Sequence, residues 1–241
     1  MTAPSLPGFA YRRDGVVAYR HPLVWQARRL SLDALTGQVG VFTRTSTKAV
    51  ADSFGVNRTV NHSQPAWYAN GGVAALDLGA AESLELPCDL KPGACSGLLD
   101  FIENGTLAGL DHLFSFGNTH PTANTPLFVI YSPAGTAYQA THNSGAGVRD
   151  SLLSTGPTSG QRVRLRWWLY SDGKVQLWQS IDGAAETAAS ASTALTFGAN
   201  WSSPAKYWFN AYNNNFGAVR LIGAVVMLGN QTQAKLLEAL A

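Results

Sequence analysis

Two acidic side chains, Asp100 and Glu103, come nearest to a catalytic pattern in their type and spacing. Two carboxylates about 5 Å apart can hydrolyse a glycosidic bond, one acting as the nucleophile and the other as the acid and base. The simpler interpretation, which we favour, is a strand followed by the turn Asn104-Gly105. The sequence has no phosphate-binding glycine loop, no Gly-x-Ser-x-Gly, no His-Glu-x-x-His and no calcium-binding loop. We therefore expect a protein without enzymatic activity and without a cofactor.

Metal ligands are equally sparse in this sequence. The two cysteines, Cys88 and Cys95, cannot complete a four-ligand zinc site without distant histidines, and the five histidines are scattered along the chain. A disulfide across the turn between the two cysteines is geometrically feasible. We favour two buried thiols and expect no metal site.

Charged residues make up 13% of the chain, and the net charge is +2. General nucleic-acid binding needs a clustered basic surface, so we expect no such partner. The charge is nevertheless uneven, because residues 1–60 hold eight Lys and Arg residues and three Asp residues. This excess is either a solvated strand face or an arm that docks on an acidic neighbour. The candidate docking residues are Arg12, Arg13, Arg20, Arg28 and Arg29.

We expect the sequence to carry neither a membrane-spanning segment nor a signal peptide. No apolar stretch reaches about 18 residues, so we expect no membrane-spanning helix. The first residues, 1–7, lack the charged and apolar regions of a signal peptide, and we expect no export by that route.

The periodic segments predict an all-β protein. Apolar runs of about 4–8 residues recur between clusters of Gly, Pro, Asn and Ser, which is typical of an antiparallel sandwich. We expect a jelly-roll β-sandwich of about 12 strands over residues 41–241, preceded by a basic assembly segment over residues 1–40. One short helix is predicted at the C-terminus, capped by Asn230 and Gln233. Its apolar stripe, expected to pack on the rim of the sandwich, is Leu236, Leu237 and Leu240.

The clearest hairpin spans residues 162–181. A three-residue loop over 171–173 pairs Leu169 with Val175 and Trp167 with Leu177, which keeps apolar residues on one face. This register predicts an inner face made of Val163, Leu165, Trp167, Leu169, Val175 and Leu177. The opposite face, called the Arg–Trp face below, consists of Arg164, Arg166, Trp168, Tyr170, Gln176 and Trp178.

The Arg–Trp face has two interpretations. Another sheet or a long loop covers it, or it is a contact surface for a protein subunit or a glycan. Arginine and aromatic residues dominate interface energetics, and we favour a protein partner over a sugar. The register also places Arg166 opposite Trp178, which predicts a cation–π contact.

Two parts of the sequence resemble proteins of bacteriophage particles. Residues 42–49, followed by Gly55-Val56, Asn61 and Pro65, resemble a sequence motif common in phage particle proteins. In those proteins a Gly-x-Cys-x-Gly-Leu-Leu segment follows this motif, and residues 93–99 match that segment. Residues 107–241 are similar to the laminin-G and concanavalin-like domains of phage tail and head fibres. This resemblance implies a lectin-like sandwich in a virion.

The same resemblance bears on the acidic pair. Retaining glycoside hydrolases of the concanavalin-like fold use a strand resembling Glu-x-Asp-x-x-Glu. Asp100 and Glu103 match the second and third acidic positions, whereas the nucleophile position is Leu98. A leucine cannot attack an anomeric carbon, so the resemblance implies a site without activity.

These observations favour a non-enzymatic virion structural protein, in the capsid, a decoration, a tail or a fibre. It would act through contacts with other virion proteins, and we expect it to form a homo-oligomer. The alternative is a glycan-binding module for host-surface recognition, supported by the Arg–Trp face and by the amides of Asn213, Asn214 and Asn215. A glycoside hydrolase is the weakest of the three hypotheses.

Overall fold

The computed structural model describes residues 10–11, 17–18, 23–27, 41–46, 49–51, 57–61, 66–70, 73–78, 83–87, 94–107, 109, 111–117, 128–145, 147–198, 206–209 and 219–240. The predictions for Cys88, for the five N-terminal arginines and for Asn213, Asn214 and Asn215 lie outside these residues.

Within the described residues the chain forms nineteen strands and one helix. The elements are β1 (Ala10–Tyr11), β2 (Val17–Ala18), β3 (Leu23–Ala27), β4 (Val41–Ser46), β5 (Ala49–Ala51), β6 (Asn57–Asn61), β7 (Ala66–Asn70), β8 (Val73–Leu78), β9 (Ser83–Pro87), β10 (Cys95–Glu103), β11 (Asp111–Gly117), β12 (Phe128–Ser132), β13 (Gln139–Asn143), β14 (Val148–Leu152), β15 (Arg162–Leu169), β16 (Val175–Ile181), β17 (Thr187–Ala188), β18 (Lys206–Phe209), β19 (Val219–Leu228) and α1 (Gln233–Leu240). The expectation of about 12 strands was too low, because some strands before β10, such as β1, β2 and β5, are only two or three residues long.

Most of the described strands belong to two antiparallel sheets, and β1 and β2 pair with each other as a separate two-stranded sheet. Sheet 1 runs β17–β16–β15–β10–β19, and β19 continues to β8 and β7 at one end and to β3 at the other. Sheet 2 runs β14–β13–β12–β11–β18–β9–β6. A parallel contact joins β3 to β4, which leads through β5 to β6. The predicted all-β antiparallel sandwich with one short C-terminal helix is confirmed.

The core lies between the sheets and is centred on Trp167. Its indole stacks on Phe114 with ring centroids 6.0 Å apart and lies 4.6 Å from the ring of Phe128. Gly97 makes room for the indole, since a Cβ at this position would lie 2.6 Å from it. Cys95 is buried in the same core, as expected for that thiol.

The hairpin of β15 and β16 has the predicted register. Leu169 pairs with Val175, and Trp167 pairs with Leu177. Gly173 adopts the left-handed conformation with φ of 75°, which a residue with a side chain rarely tolerates. All six residues predicted for the inner face are fully buried: Val163, Leu165, Trp167, Leu169, Val175 and Leu177.

The helix differs from the prediction in its cap and its position. Thr232 caps it, because its Oγ1 accepts a hydrogen bond from the backbone of Lys235 at 3.3 Å. Asn230 instead donates to the carbonyl of Leu169 at 3.2 Å, so its side-chain amide links the segment between β19 and α1 to strand β15 of sheet 1. The prediction that Asn230 is the cap was wrong, because strand-end carbonyls compete for its side chain.

Helix α1 packs on the outer face of sheet 1 and not on the rim. Leu236 is fully buried against Leu98 and Val225, with Leu237 packed at the edge of this cluster. Burying an aliphatic side chain in this way stabilises the fold by about 1.5–3 kcal/mol. The side chain of Leu240 lies outside the description. No helix in the described part of the chain is long and apolar enough to cross a membrane.

Candidate functional site

The acidic pair does not form a single site. Asp100 pairs with Arg164 of β15. The next residue, Phe101, lies in the core, so alternation along β10 places Asp100 on the outer face of sheet 1. Glu103 lies an odd number of residues from Asp100, so it points to the opposite face. The two carboxylates therefore cannot attack one glycosidic bond together. Within the described residues, no group of three or more His, Cys, Asp and Glu could hold a metal ion.

Asp100 is held by two arginines on the outer face. Arg162 binds it with two parallel hydrogen bonds, from Nε to Oδ1 at 2.8 Å and from Nη2 to Oδ2 at 2.7 Å. Arg164 adds a bond from Nε to Oδ2 at 3.1 Å. The carboxylate is nearly buried beneath the two guanidinium groups, which gives Asp100 a structural role.

Glu103 is a buried carboxyl group at the edge of the core. The hydroxyl of Tyr138 donates to its Oε2 at 2.6 Å. Burial raises the pKa of Glu103, with a further contribution from the charge of Asp111, while the bond from Tyr138 opposes the rise. Burial also raises the pKa of Tyr138 well above 10.0, so the phenol stays protonated and serves as a donor. This hydrogen bond links the end of β10 in sheet 1 to the residue that precedes β13 in sheet 2.

The structure brings all six residues of the Arg–Trp face together on sheet 1. Arg166 lies over the ring of Trp178, with 3.7 Å between the guanidinium carbon and the ring centroid. The predicted cation–π contact is therefore present. Arg166 also forms an ion pair with Glu186, at 2.7 Å from Nη2 to Oε2, in which only 9% and 14% of the two side chains are exposed.

Three further side chains of the Arg–Trp face, Trp168, Tyr170 and Gln176, form hydrogen bonds within the chain. The indole of Trp168 donates to the carbonyl of Gln231 at 2.8 Å, and the hydroxyl of Tyr170 donates to Gln176 at 2.7 Å. The segment before α1 thus covers one side of this face. Whether the face also contacts a partner stays a prediction.

A second polar surface lies on the outer face of sheet 2, and we call it the Gln139 row. It consists of Tyr131, Gln139, Thr141 and Asp150, which belong to the neighbouring strands β12, β13 and β14. The register pairs Tyr131 with Gln139 and Thr141 with Asp150. Alternation directs them away from the core, because Ala140 lies in the core between Gln139 and Thr141. Asp150 is exposed and Tyr131 is half-buried, whereas Gln139 and Thr141 are only 9% and 7% exposed.

Hydrogen bonds link the Gln139 row into a chain. Gln139 Nε2 donates to the hydroxyl of Tyr131 at 3.2 Å and to Thr141 Oγ1 at 3.1 Å. Thr141 Oγ1 donates to Asp150 Oδ1 at 2.7 Å. The hydroxyl of Thr141 has one proton, which goes to the carboxylate, so it must accept from the amide nitrogen of Gln139. This logic fixes the orientation of the amide.

Two exposed aliphatic side chains flank Asp150 on the same strand. Leu152 is 53% exposed and pairs with Gln139, whereas Val148 is 47% exposed and pairs with Asn143. They are the exposed large hydrophobic residues of the described chain. The surface therefore combines a polar row with apolar neighbours, a combination that suits ligands with both hydroxyl groups and C–H faces.

No family model matches the chain, and no curated protein matches it. Solved structures share its fold at low identity. A sialidase from Trypanosoma rangeli, solved in complex with sialic acid, is 9% identical with a TM-score of 0.55, and the match covers 82% of this chain and 32% of the sialidase. The chain thus spans about a third of that protein.

Two further structures are similar over most of this chain. Domain 4 of a GH43 extracellular arabinanase from Geobacillus stearothermophilus, in complex with arabinotriose, is 15% identical with a TM-score of 0.56, over 79% of this chain and 92% of that domain. The binding domain of botulinum neurotoxin DC, in complex with SialylT, is 8% identical with a TM-score of 0.53, over 82% of this chain and 49% of that one. At these identities the likeness establishes the β-sandwich fold.

Sequence reasoning missed the Gln139 row. Its one local signal is the alternation of Gln139, Thr141 and Asn143 with Ala140 and His142 in β13. That pattern indicates one polar face, but it does not reveal which residues of β12 and β14 lie beside it.

Proposed function

We propose that this chain is a carbohydrate-binding β-sandwich module and that its ligand lies on the Gln139 row. The observation that carries the proposal is the hydrogen-bonded chain from Gln139 through Thr141 to Asp150, which holds the exposed carboxylate of Asp150 beside the exposed side chain of Leu152. Gln139 and Thr141 lie beneath them and are 9% and 7% exposed. Sugars present hydroxyl groups at their edges and C–H groups on their faces, and the row offers matching groups for both. The fold it shares with structures solved in complex with sialic acid and arabinotriose supports this proposal.

Glycan-array binding, followed by titration calorimetry with the best ligand, tests the proposal. Asp150→Ala and Gln139→Ala should each weaken binding by about tenfold or more, because a site built for hydroxyl groups loses its partners. Glu238→Ala, which removes an exposed carboxylate from α1 on the other sheet, is the matched control and should bind like the unaltered chain. Unchanged affinity in both row variants would exclude this site.

The virion role of the module is a second proposal, and it depends on the resemblance of residues 42–65 and 93–99 to phage particle proteins. In this proposal the chain is carried on a particle and the Arg–Trp face or the N-terminal segment contacts neighbouring subunits, including other copies. Mass spectrometry of purified particles and a cryo-EM map would test it. Absence of the chain from such particles would refute the virion assignment and leave the glycan-binding proposal intact.

We also propose that the chain does not hydrolyse its ligand. The opposite orientation of Asp100 and Glu103 supports this, as does Leu98, which packs against helix α1 where a nucleophile would be required. Assays on β-glucans should detect no turnover. Hydrolysis that disappears in Glu103→Gln would contradict the proposal.

A further inference from the structure

Arg162 and Arg164 form a pair of hydrogen-bond donors on the outer face of sheet 1, and we infer that this pair binds the carboxylate of an acidic sugar. The two side chains are 38% and 32% exposed, whereas the carboxylate of Asp100, to which both of them donate, is 3% exposed. The pair lies on the sheet opposite the Gln139 row, so a ligand here would be a second one, beyond the proposed function.

Asp100 fixes the orientation of both guanidinium groups. Its Oδ2 accepts from Arg162 Nη2 at 2.7 Å and from Arg164 Nε at 3.1 Å, so the two groups lie side by side. Arg162 also donates from Nε to Oδ1 at 2.8 Å. Because the carboxylate lies beneath the arginines, it leaves their exposed side open. Side chains that are already held in place lose little conformational entropy when a ligand binds.

Both guanidinium groups retain donors after these bonds. Arg164 uses only its Nε–H, which leaves its two Nη groups without a hydrogen-bond partner within the described residues. In the same part of the chain, Nη1 of Arg162 is also unbonded. The two oxygens of a carboxylate match the planar fork of a guanidinium group, so these donors suit a carboxylate better than a single hydroxyl group.

The charge of the pair suits a ligand with one negative charge. Asp100 compensates one of the two arginines and leaves the other positive charge uncompensated. The nearby Glu186 is engaged by Arg166, at 2.7 Å from Nη2 to Oε2. One carboxylate balances the remaining charge, whereas a phosphate monoester brings more negative charge than the pair compensates.

The groups beside the pair favour a sugar acid over an acidic peptide. Asp182 is exposed and accepts from the backbone N–H of Arg162 at 2.9 Å. Its carboxylate accepts hydrogen bonds from sugar hydroxyl groups, but it would repel the further carboxylates of an acidic peptide. Near Arg164, the half-buried ring of Trp178 is a diagonal neighbour across the two strands and offers apolar surface to the C–H groups of a sugar.

The test uses an array on which each sugar acid is printed beside its methyl ester, followed by calorimetry with the best-bound pair. The ester keeps the sugar and removes the charge, so the acid should bind at least about tenfold tighter. Equal binding of the acid and its ester would overturn the inference.

Two further probes, sodium acetate and a peptide rich in glutamate, identify the source of the carboxylate. Both should bind more weakly than the sugar acid, because they lack hydroxyl groups for Asp182 and a ring for Trp178. Acetate that binds as well as the sugar acid would indicate an adventitious ion only. A peptide that binds more tightly would assign the pair to a protein partner, and either result would overturn the assignment to a sugar.

Substitutions that each remove one positive charge complete the test. Arg164→Gln removes the unbonded Nη groups but keeps both bonds from Arg162 to Asp100, so it should weaken binding of the acid by about tenfold or more. Arg164→Lys keeps the charge without the planar fork and should have a smaller effect in the same direction. Lys235→Gln, at an exposed position on helix α1, is the matched control and should bind like the unaltered chain. Unchanged affinity in both Arg164 variants, with thermal melts that show them folded, would refute the site.

The two sites fail separately. Asp150→Ala should leave the affinity for the acid unchanged, and Arg164→Gln should do the same for a neutral glycan bound on the Gln139 row. Neutral glycans that bind while no sugar acid does would overturn this inference alone. Sugar acids whose binding depends on Arg164, on an array where no glycan responds to Asp150→Ala or Gln139→Ala, would support the inference and overturn the proposed site on the row.

Discussion

The Arg–Trp face and the Gln139 row occupy the outer faces of opposite sheets, yet they use their polar groups differently. On the Arg–Trp face, the donors of Arg166 and Trp168 are matched by Glu186 and by the carbonyl of Gln231. On the Gln139 row, internal bonds use the donors of Gln139 and Thr141, and the carboxylate of Asp150 stays exposed. The comparison teaches that a residue composition typical of interfaces does not identify a binding surface. The balance of donors and acceptors after internal bonding is more informative.

The largest expected effect is a loss of stability that damages both surfaces. Trp167→Ala removes a fully buried indole that packs on Phe114 and Phe128 between the sheets. We expect destabilisation by about 3–5 kcal/mol, measured by urea denaturation. A loss below about 1 kcal/mol would indicate a core that tolerates a cavity and supports neither surface rigidly.

Gly173→Ala should also affect both surfaces, because Gly173 connects the hairpin of sheet 1 to strand β13 of sheet 2. It forms the turn of the hairpin that carries the Arg–Trp face, and its carbonyl binds Nδ1 of His142 in β13 at 2.7 Å. A Cβ would lie 1.7 Å from the carbonyl oxygen of Leu195, and φ is 75°. We expect a loss of about 2–4 kcal/mol, from the overpacking and the left-handed backbone together. Gly183→Ala, also at positive φ but with no atom within 4 Å of the added Cβ, is the matched control and should cost less.

Arg166→Ala and Asp150→Ala separate the two surfaces most directly. Arg166→Ala leaves the nearly buried Glu186 without its partner and should destabilise the fold by about 3 kcal/mol. Asp150→Ala removes an exposed carboxylate that accepts from the Thr141 hydroxyl, so it should cost about 1 kcal/mol, less than Arg166→Ala, while it weakens glycan binding. Thermal melts paired with calorimetry measure both quantities. Equal losses of stability would remove the distinction drawn between the two surfaces.

The smallest expected effect concerns pH and His142. Burial lowers its pKa below 6.5, with the bond to Gly173 opposing the decrease. The unfolded chain therefore takes up a proton at a higher pH than the folded chain. Stability should be fully present above pH 6.5 and decrease as the pH falls towards the folded pKa. His142→Asn, which keeps a side-chain donor without titrating in this range, should reduce this dependence in denaturation curves recorded across that window.

Much of the sandwich could be predicted because its signals are local. Alternation in β15 and the length of one turn are sufficient to place Trp167 inside and to pair it with Leu177. The same parity rule predicts opposite faces for Asp100 and Glu103 in a regular strand. The pairing of β10 with β15 is regular across Asp100, and the register shift beside this residue lies in the pairing with β19.

The candidate site could not be predicted because it depends on distant parts of the chain. Tyr131, Gln139 and Asp150 become neighbours only when three strands align, and the connections between those strands carry no strong register signal. Asn230 shows the same limit, since the carbonyl that it binds belongs to Leu169, far along the chain. Local helix-capping rules have no access to such competitors.

The position of helix α1 has a practical consequence for display of the protein. Helix α1 lies on the outer face of sheet 1, while the Gln139 row lies on the outer face of sheet 2. A linker joined behind Leu240 therefore starts from the side away from the row. Attachment of the chain to a sensor chip or a bead through such a linker should leave the row directed into solution, and many chains fixed in that orientation would form a multivalent surface.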